Sequence, residues 1–201
     1  MRVAERLFGA EGINGASLRQ IAIAAQQSNA SVIHYHFTDK DKLIGEIMLA
    51  RVQEMEPIRA RMLATAEQNG QLGELSVLLR ILCLPHIELR DAEGDFPFSE
   101  FLLEFMLRYR GPATSMHPFD THPELVPALS RTLHLIENRL HYMDQATVSR
   151  RSSTAVVIFL FNLIRASEQD IGQRRFDQSI EDAILMGVEA ILAPLPALHA
   201  P

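Results

Sequence analysis

The sequence predicts an all-α fold of about nine helices: a helix-turn-helix unit at the N-terminus, then an antiparallel helical bundle. Three observations predict it. Apolar residues recur at i, i+3, i+4 and i+7 along nearly the whole chain, the spacing of one helix face. Polar capping sequences stand just before several of these runs. There is no clear strand, no internal repeat and no low-complexity tract.

The elements follow in order. In "VAERLF", Val3, Leu7 and Phe8 share a face, and Gly12 stops the helix with a residue that tolerates positive φ. "GINGAS" is a turn. "SLRQIAIAA" places Leu18, Ile21, Ala22 and Ala25 on one side, with Ser17 and Gln20 as a capping box. The polar "QQSN" breaks the pattern before a short third helix ending in "YHF". "TDKD" offers a second capping box, Thr38 with Asp41, opening a long helix from about residue 39. Pro57 is expected to bend or end that helix, because its ring removes a hydrogen bond and clashes with the preceding turn.

Residues 72–90 are strongly apolar with a kink expected at Pro85, and "DAEGD" is a turn. Residues 96–109 carry Phe98, Phe101, Leu102, Phe105, Met106 and Tyr109 at helical spacing. "RGPATSMHPFDTHP" is the longest loop-like segment. Helices are expected again at about 123–147, 150–168 and 178–193, and "APLPALHAP" is a tail.

Composition narrows the class. At 201 residues, 47% hydrophobic and 22% charged, the chain can bury a sizeable core. The single Cys83 excludes an intramolecular disulfide and fits a reducing, cytoplasmic location. The longest apolar run, "AVVIFLFNLI", is about half of what a bilayer crossing needs. The net charge of −6 is unevenly spread: residues 1–51 hold six Lys/Arg against five Asp/Glu, the rest thirteen Arg against twenty acids. Both lysines of the chain, Lys40 and Lys42, lie in that first part.

Two short helices joined by a polar turn, 17–25 and about 30–37, have the dimensions of a DNA-reading helix-turn-helix. On an ideal wheel with Ile33 at the origin, Phe37, Ala30 and His36 fall within about 60° of it and face inward. Ser31 and Tyr35 fall opposite, at about 160° and about 200°, flanked by Val32 and His34. Those outward groups are able to reach phosphate oxygens, base edges and a thymine methyl. The capped start of the next helix, with Lys40, and the start of the preceding one, with Ser17 and Arg19, offer backbone N–H groups and positive charge to phosphates. The same pattern occurs in all-α proteins that bind no DNA.

Residues 4–43, "AERLFGAEGINGASLRQIAIAAQQSNASVIHYHFTDKDKL", resemble the N-terminal DNA-binding domain of the tetracycline-repressor (TetR/AcrR) family. The likeness lies in the "LF…G" end of the first helix, the Ser cap before "LRQIAIAA", the short helix ending in "YHF", and the polar cap with "KDKL". The remainder matches in helical layout and in the "HPEL" opening at 122–125. Three features depart from the family. "AQQS" replaces the usual Ala-Gly-Val turn, and Ile21 to Phe37 is one residue longer than common. His34 stands where many members have Tyr. Met1 falls inside the first helix, so the given sequence starts after the turn and basic arm usual before it; a chain without them is expected to bind DNA more weakly.

The resemblance implies base-edge or groove contacts from Asn29, Ser31, Val32 and His34, and phosphate contacts from Ser17, Tyr35, His36 and Lys40, to which the helix-start argument adds Arg19. For His36, which points inward on the wheel, packing or an internal hydrogen bond stands beside the phosphate role. It also implies a DNA-binding domain at 1–45 and an effector-binding and dimerisation domain at 46–201, with homodimer contacts from helices at about 150–168 and 178–193. The run 152–166 is apolar nearly all round, and 178–193 carries a broad stripe of Ile180, Ile184, Leu185, Val188, Ile191 and Leu192. Cover by a second subunit and burial within one subunit both fit these patterns.

Met62, His86, Phe101, Phe105 and Met106 are candidates for an effector site, although Met and Phe at this spacing are also what a core looks like. No convergent charge pair selects a ligand charge. His86, His117, His122, His134 and His141 form no i, i+4 pair, so no metal is expected. There is no Gly-rich phosphate loop, no G-x-S-x-G and no H-E-x-x-H; neither an enzyme nor a cofactor is expected. The expectation is a one-component regulator, a repressor, binding a double-stranded operator as a homodimer and tuned by a small apolar effector. A DNA-binding protein without a sensor, or a helical interaction module that has lost DNA binding, are the alternatives.

Overall fold

The computed structural model describes residues 1–25, 40–109, 122–168 and 172–195. Among the described residues there are eight α-helices and no strand. α1 (Arg2–Glu11) buries Ala4, Glu5 and Phe8 and ends at Gly12, whose φ of 76° needs no Cβ to be avoided. The turn behind it is closed by N–H bonds from Gly15 and Ala16 to the Gly12 carbonyl. Ile13 and Ala16 anchor the turn in the core.

α2 (Leu18–Ala24) starts with the expected reciprocal cap. The Gln20 N–H donates to Ser17 Oγ at 3.2 Å, and the Ser17 N–H donates to Gln20 Oε1 at 2.8 Å. Thr38 and the third short helix lie outside the described residues.

α3 (Lys40–Gln68) does not end at Pro57. One lost hydrogen bond there is offset by burial on both sides of it, from Val52 and Met55 to Arg59, Leu63 and Ala66. The helix stops instead at Gly70, φ 69°, where Gln71 N–H reaches the Ala66 carbonyl and Gly70 N–H the Glu67 carbonyl. That pair of bonds is a Schellman motif. α4 (Leu75–Cys83) changes to a 3-10 turn over Leu84–Leu89, with Pro85 in its first turn. The expected kink is therefore a change of helix type, since Pro85 has no N–H for an i−4 bond.

The 91–95 turn is organised by Asp91, whose Oδ1 accepts from the N–H groups of Glu93 and Asp95. α5 (Pro97–Glu104) is followed by a π turn, Phe105–Tyr109. The helix expected over 96–109 is continuous from Pro97 to Tyr109 and changes from α to π at Phe105. A 3-10 turn, Pro123–Leu125, precedes α6 (Pro127–Arg139).

The helix expected at 123–147 is shorter at both ends. Its C-terminal part belongs to α7 (Gln145–Glu168), opened by Asp144, whose Oδ1 accepts the Thr147 N–H at 2.9 Å. The D-x-x-T spacing was the signal for that cap. α8 (Gln173–Leu192) begins earlier than residue 178, behind Gly172 with φ 71°. Its C-terminal carbonyls at Ile191, Ala193 and Pro194 accept from the Arg151 guanidinium.

One core runs through all of this. It joins Phe8, Ile21 and Ile44 of the N-terminal helices to Phe98, Phe101, Phe159 and Ile184 further along. α7 and α8 pack along much of their length, with Gly187 set close to Ala155 of α7 and Leu79 of α4. α1 lies on α5. Two polar ties reinforce the seat of α1. Arg51 of α3 donates from Nε and Nη2 to the two oxygens of buried Glu5, each at 2.8 Å. Arg6 pairs with Asp91 and Glu93.

Candidate functional site

Of the five side chains expected to contact phosphate, Ser17, Arg19 and Lys40 lie among the described residues, and the first two are exposed. Ser17 is exposed, although its Oγ is already engaged in capping α2. Arg19, in the first turn of α2, is exposed and makes no hydrogen bond or ion pair among the described residues. Lys40 is half-buried, and its Nζ donates to the Ile13 carbonyl at 2.8 Å. The ammonium therefore latches the start of α3 to the turn between α1 and α2, and uses one of its three donors among the described residues. Asn29, Ser31, Val32, His34, Tyr35 and His36 lie outside the described residues.

A second site lies among α3, α4, α5, α6 and α7. Here the packing leaves a cavity of about 130 Å³. Its wall is mostly apolar, with Val52, Met55, Leu82, Leu129, Ile136 and Val156 among its lining. Of the residues named from sequence, His86, Phe105 and Met106 line it. Phe101 does not: it is fully buried and stacks between Phe8 of α1 and Phe98 and Phe105. Met62 does not either; it packs on a separate small cluster of Leu63, Ala66, Ile81 and Ala128. Helical phase does not separate them, since Met55, Arg59 and Met62 recur at i, i+4 and i+7 on one face of α3; Met62 stands further along the helix, where Leu63, Ala66, Ile81 and Ala128 are its neighbours.

Sequence reasoning passed over the polar part of the wall. Arg59 of α3 is 2% exposed, and Ser152 of α7 is buried; both line the cavity. Burial drives the Arg59 guanidinium down to about 10, against the pull of Glu56, so it stays charged at neutral pH. Glu56 is itself occupied: its two oxygens accept from Ala128 and Leu129 N–H at the start of α6, at 2.7 and 3.0 Å. A carboxylate at a helix N-terminus is favoured by the dipole. The nearby Cys83 is buried, and burial pushes its thiol up to about 12, which makes it a packing residue. Arg59 lies in a helical run that reads as amphipathic, and only its i+4 position after Met55 marked it as inward. His86 stacks on Phe98 with ring centroids 5.7 Å apart, and its Nδ1 is 3.3 Å from Ser99 Oγ.

The two sites share packing. Phe98 and Phe105 border the cavity, Phe101 lies between them, and Phe8 of α1 is 5.7 Å from Phe101 between ring centroids. On the far side, α7 and α8 expose apolar side chains: Phe161 is 55% exposed and Leu185 56%, with Met186 and Leu192 beside them on α8. No group of three metal-ligating side chains and no helix long and apolar enough to cross a membrane occurs among the described residues.

Residues 1–47 match the family model described as bacterial regulatory proteins, tetR family. None of the curated proteins matches the chain.

Proposed function

With its first 47 residues those of a DNA-binding transcriptional regulator of the tetR family, we propose that this chain is a one-component repressor. It binds a double-stranded operator as a homodimer and is released by a small effector with an apolar body, bound in the cavity. One observation carries the sensor part of this reading: the aromatic run Phe105–Phe101–Phe8, from the cavity wall into α1. A ligand that repacks Phe105 bears on the seat of α1, and hence on the setting of the helix-turn-helix. Coupling of this kind typically amounts to ~1–3 kcal/mol.

Base contacts fall to Asn29, Ser31, Val32 and His34 in this reading. Phosphate contacts fall to Ser17, Arg19, Tyr35, His36 and Lys40, with Lys40 also holding the α1–α2 turn. The apolar residues exposed on α7 and α8 support dimerisation there. Phe161 lies within the period of Thr154, Ile158 and Arg165 on α7, and Leu185 and Leu192 share a face of α8. Two recognition helices about 34 Å apart then match one turn of duplex.

The test is binding to the chain's own upstream promoter DNA and to an unrelated duplex, across a salt series. Preference for the promoter supports the regulator. Equal weak binding to both, or none, turns the reading to a helical interaction module. Promoter binding that no compound occupying the cavity alters turns it to a DNA-binding protein without a sensor.

A further inference from the structure

The cavity wall holds a buried guanidinium whose hydrogen-bond donors are left largely unused by the described residues. Nε and Nη1 of Arg59 have no hydrogen-bond partner among the described residues, and neither does Ser152 Oγ. The remaining nitrogen, Nη2, donates to Met55 Sδ at 3.6 Å, a weak acceptor, and reaches the Leu82 carbonyl at 3.5 Å, the limit of bonding. The nearest carboxylate, Glu56, stands 3.7 Å from Nη1, beyond hydrogen-bond distance, with both oxygens already holding the start of α6. A buried donor without an acceptor is costly, and more so when charged. Such groups are rare in native proteins and call for an explanation.

Resting on the effector reading above, we infer that the effector is a small monocarboxylic acid. Its carboxylate is received by Arg59 and Ser152, and its apolar body lies against Leu82, Leu129, Ile136 and Val156. The volume of about 130 Å³ is close to that of a cavity that admits benzene, so the body is about the size of one ring or a six-carbon chain. Glu56, 3.7 Å from Nη1, already offsets part of the guanidinium charge, so a phosphate brings more negative charge than the wall takes up; a neutral ligand without an acceptor leaves Nε and Nη1 unbonded.

The probes are sodium benzoate and sodium hexanoate, with benzyl alcohol and hexan-1-ol as neutral counterparts, titrated calorimetrically into the full chain. The acids are expected to bind at least about tenfold more tightly than the alcohols. Arg59→Met is expected to erase that preference while alcohol binding persists. A measurement on the wild type guards against a variant that fails to fold: the carboxyl carbon of labelled benzoate, followed by NMR through a pH titration, is expected to titrate lower when bound than when free. Acids no tighter than alcohols, no binding of either acid, or a bound carboxyl titrating at or above its free value overturns the inference. Alcohols that release promoter DNA as well as the acids do leave the effector reading standing and overturn the carboxylate. Acids that bind through Arg59 and leave promoter binding unchanged uphold the ligand class and remove the effector reading.

Discussion

Single side chains divide into those that hold the N-terminal helices and those that face outward from them. Glu5 is the clearest of the first kind, since it is 1% exposed and both its oxygens are taken by Arg51. Its hydrogen bonds, with its charge, hold the Arg51 guanidinium above its ordinary value. Arg51→Met would leave a buried, unpaired carboxylate, a change that costs about 3 kcal/mol or more; the urea midpoint of unfolding should fall accordingly. Arg19 is of the second kind, exposed and unpaired among the described residues. Arg19→Ala should weaken binding to all duplexes alike and reduce the salt slope by about one unit. His34→Ala should relax preference at one base position with the salt slope nearly unchanged. Quantitative binding to promoter and mismatched duplexes at several salt concentrations checks both. Identical behaviour of the two variants would dissolve the division into reading and anchoring residues. Lys40→Ala is a poorer test of anchoring, because it also cuts the bond to Ile13.

Helices meet at two close approaches where a side chain does not fit easily. A Cβ on Gly187 of α8 would lie 2.8 Å from Leu79 Cδ2 and 3.3 Å from Ala155 Cβ. Gly187→Val should therefore separate α7 from α8 and destabilise the chain by about 1–3 kcal/mol, the usual cost of overpacking, read by thermal or denaturant unfolding. The α1–α5 contact is equally tight at Gly9, where a Cβ would lie 2.9 Å from Glu100 Cβ. Glu100 is pushed above the ordinary carboxylate range by burial first, then by the charges of Asp95, Glu168 and Asp91, with Arg6 opposing. The sign follows from that direction. A carboxyl whose folded pKa is raised contributes stability that is present below its unfolded value, about 4.3, and lost as pH rises through the folded value. Glu100→Gln should raise the melting temperature at pH 7, and the difference should shrink to nothing below about pH 4.3. A gain independent of pH would refute an electrostatic origin.

At the scale of the whole molecule, α7 and α8 carry the proposed dimer face. Leu185→Glu places a charge in that face on a side chain already 56% exposed in the single chain, so the subunit should keep its helicity and melt much as before. Sedimentation should show a monomer, and promoter affinity should fall by well over tenfold as one half-site is lost. A dimer that survives would move the interface elsewhere.

The sequence by itself determined what local chemistry specifies. Apolar periodicity marked the all-α class, because a helix face is a matter of residues a few positions apart. Ser17, Gln20 and Gly12 marked the ends of α1 and α2, because caps are satisfied within one turn. The helix-turn-helix spacing marked the N-terminal module for the same reason. Tertiary structure decided what depends on partners far along the chain. Pro57 stays inside α3 because the burial around it outweighs one lost hydrogen bond. Phe101 belongs to the core and Phe105 to the cavity, although both sit on one apolar stripe, because α1 covers the first. Arg59 looks like any charged residue of a long helix. Only the meeting of α3 with α4, α6 and α7 buries it and leaves its donors facing a cavity. A buried charge is a property of the surroundings, and its surroundings come from residues more than twenty positions away.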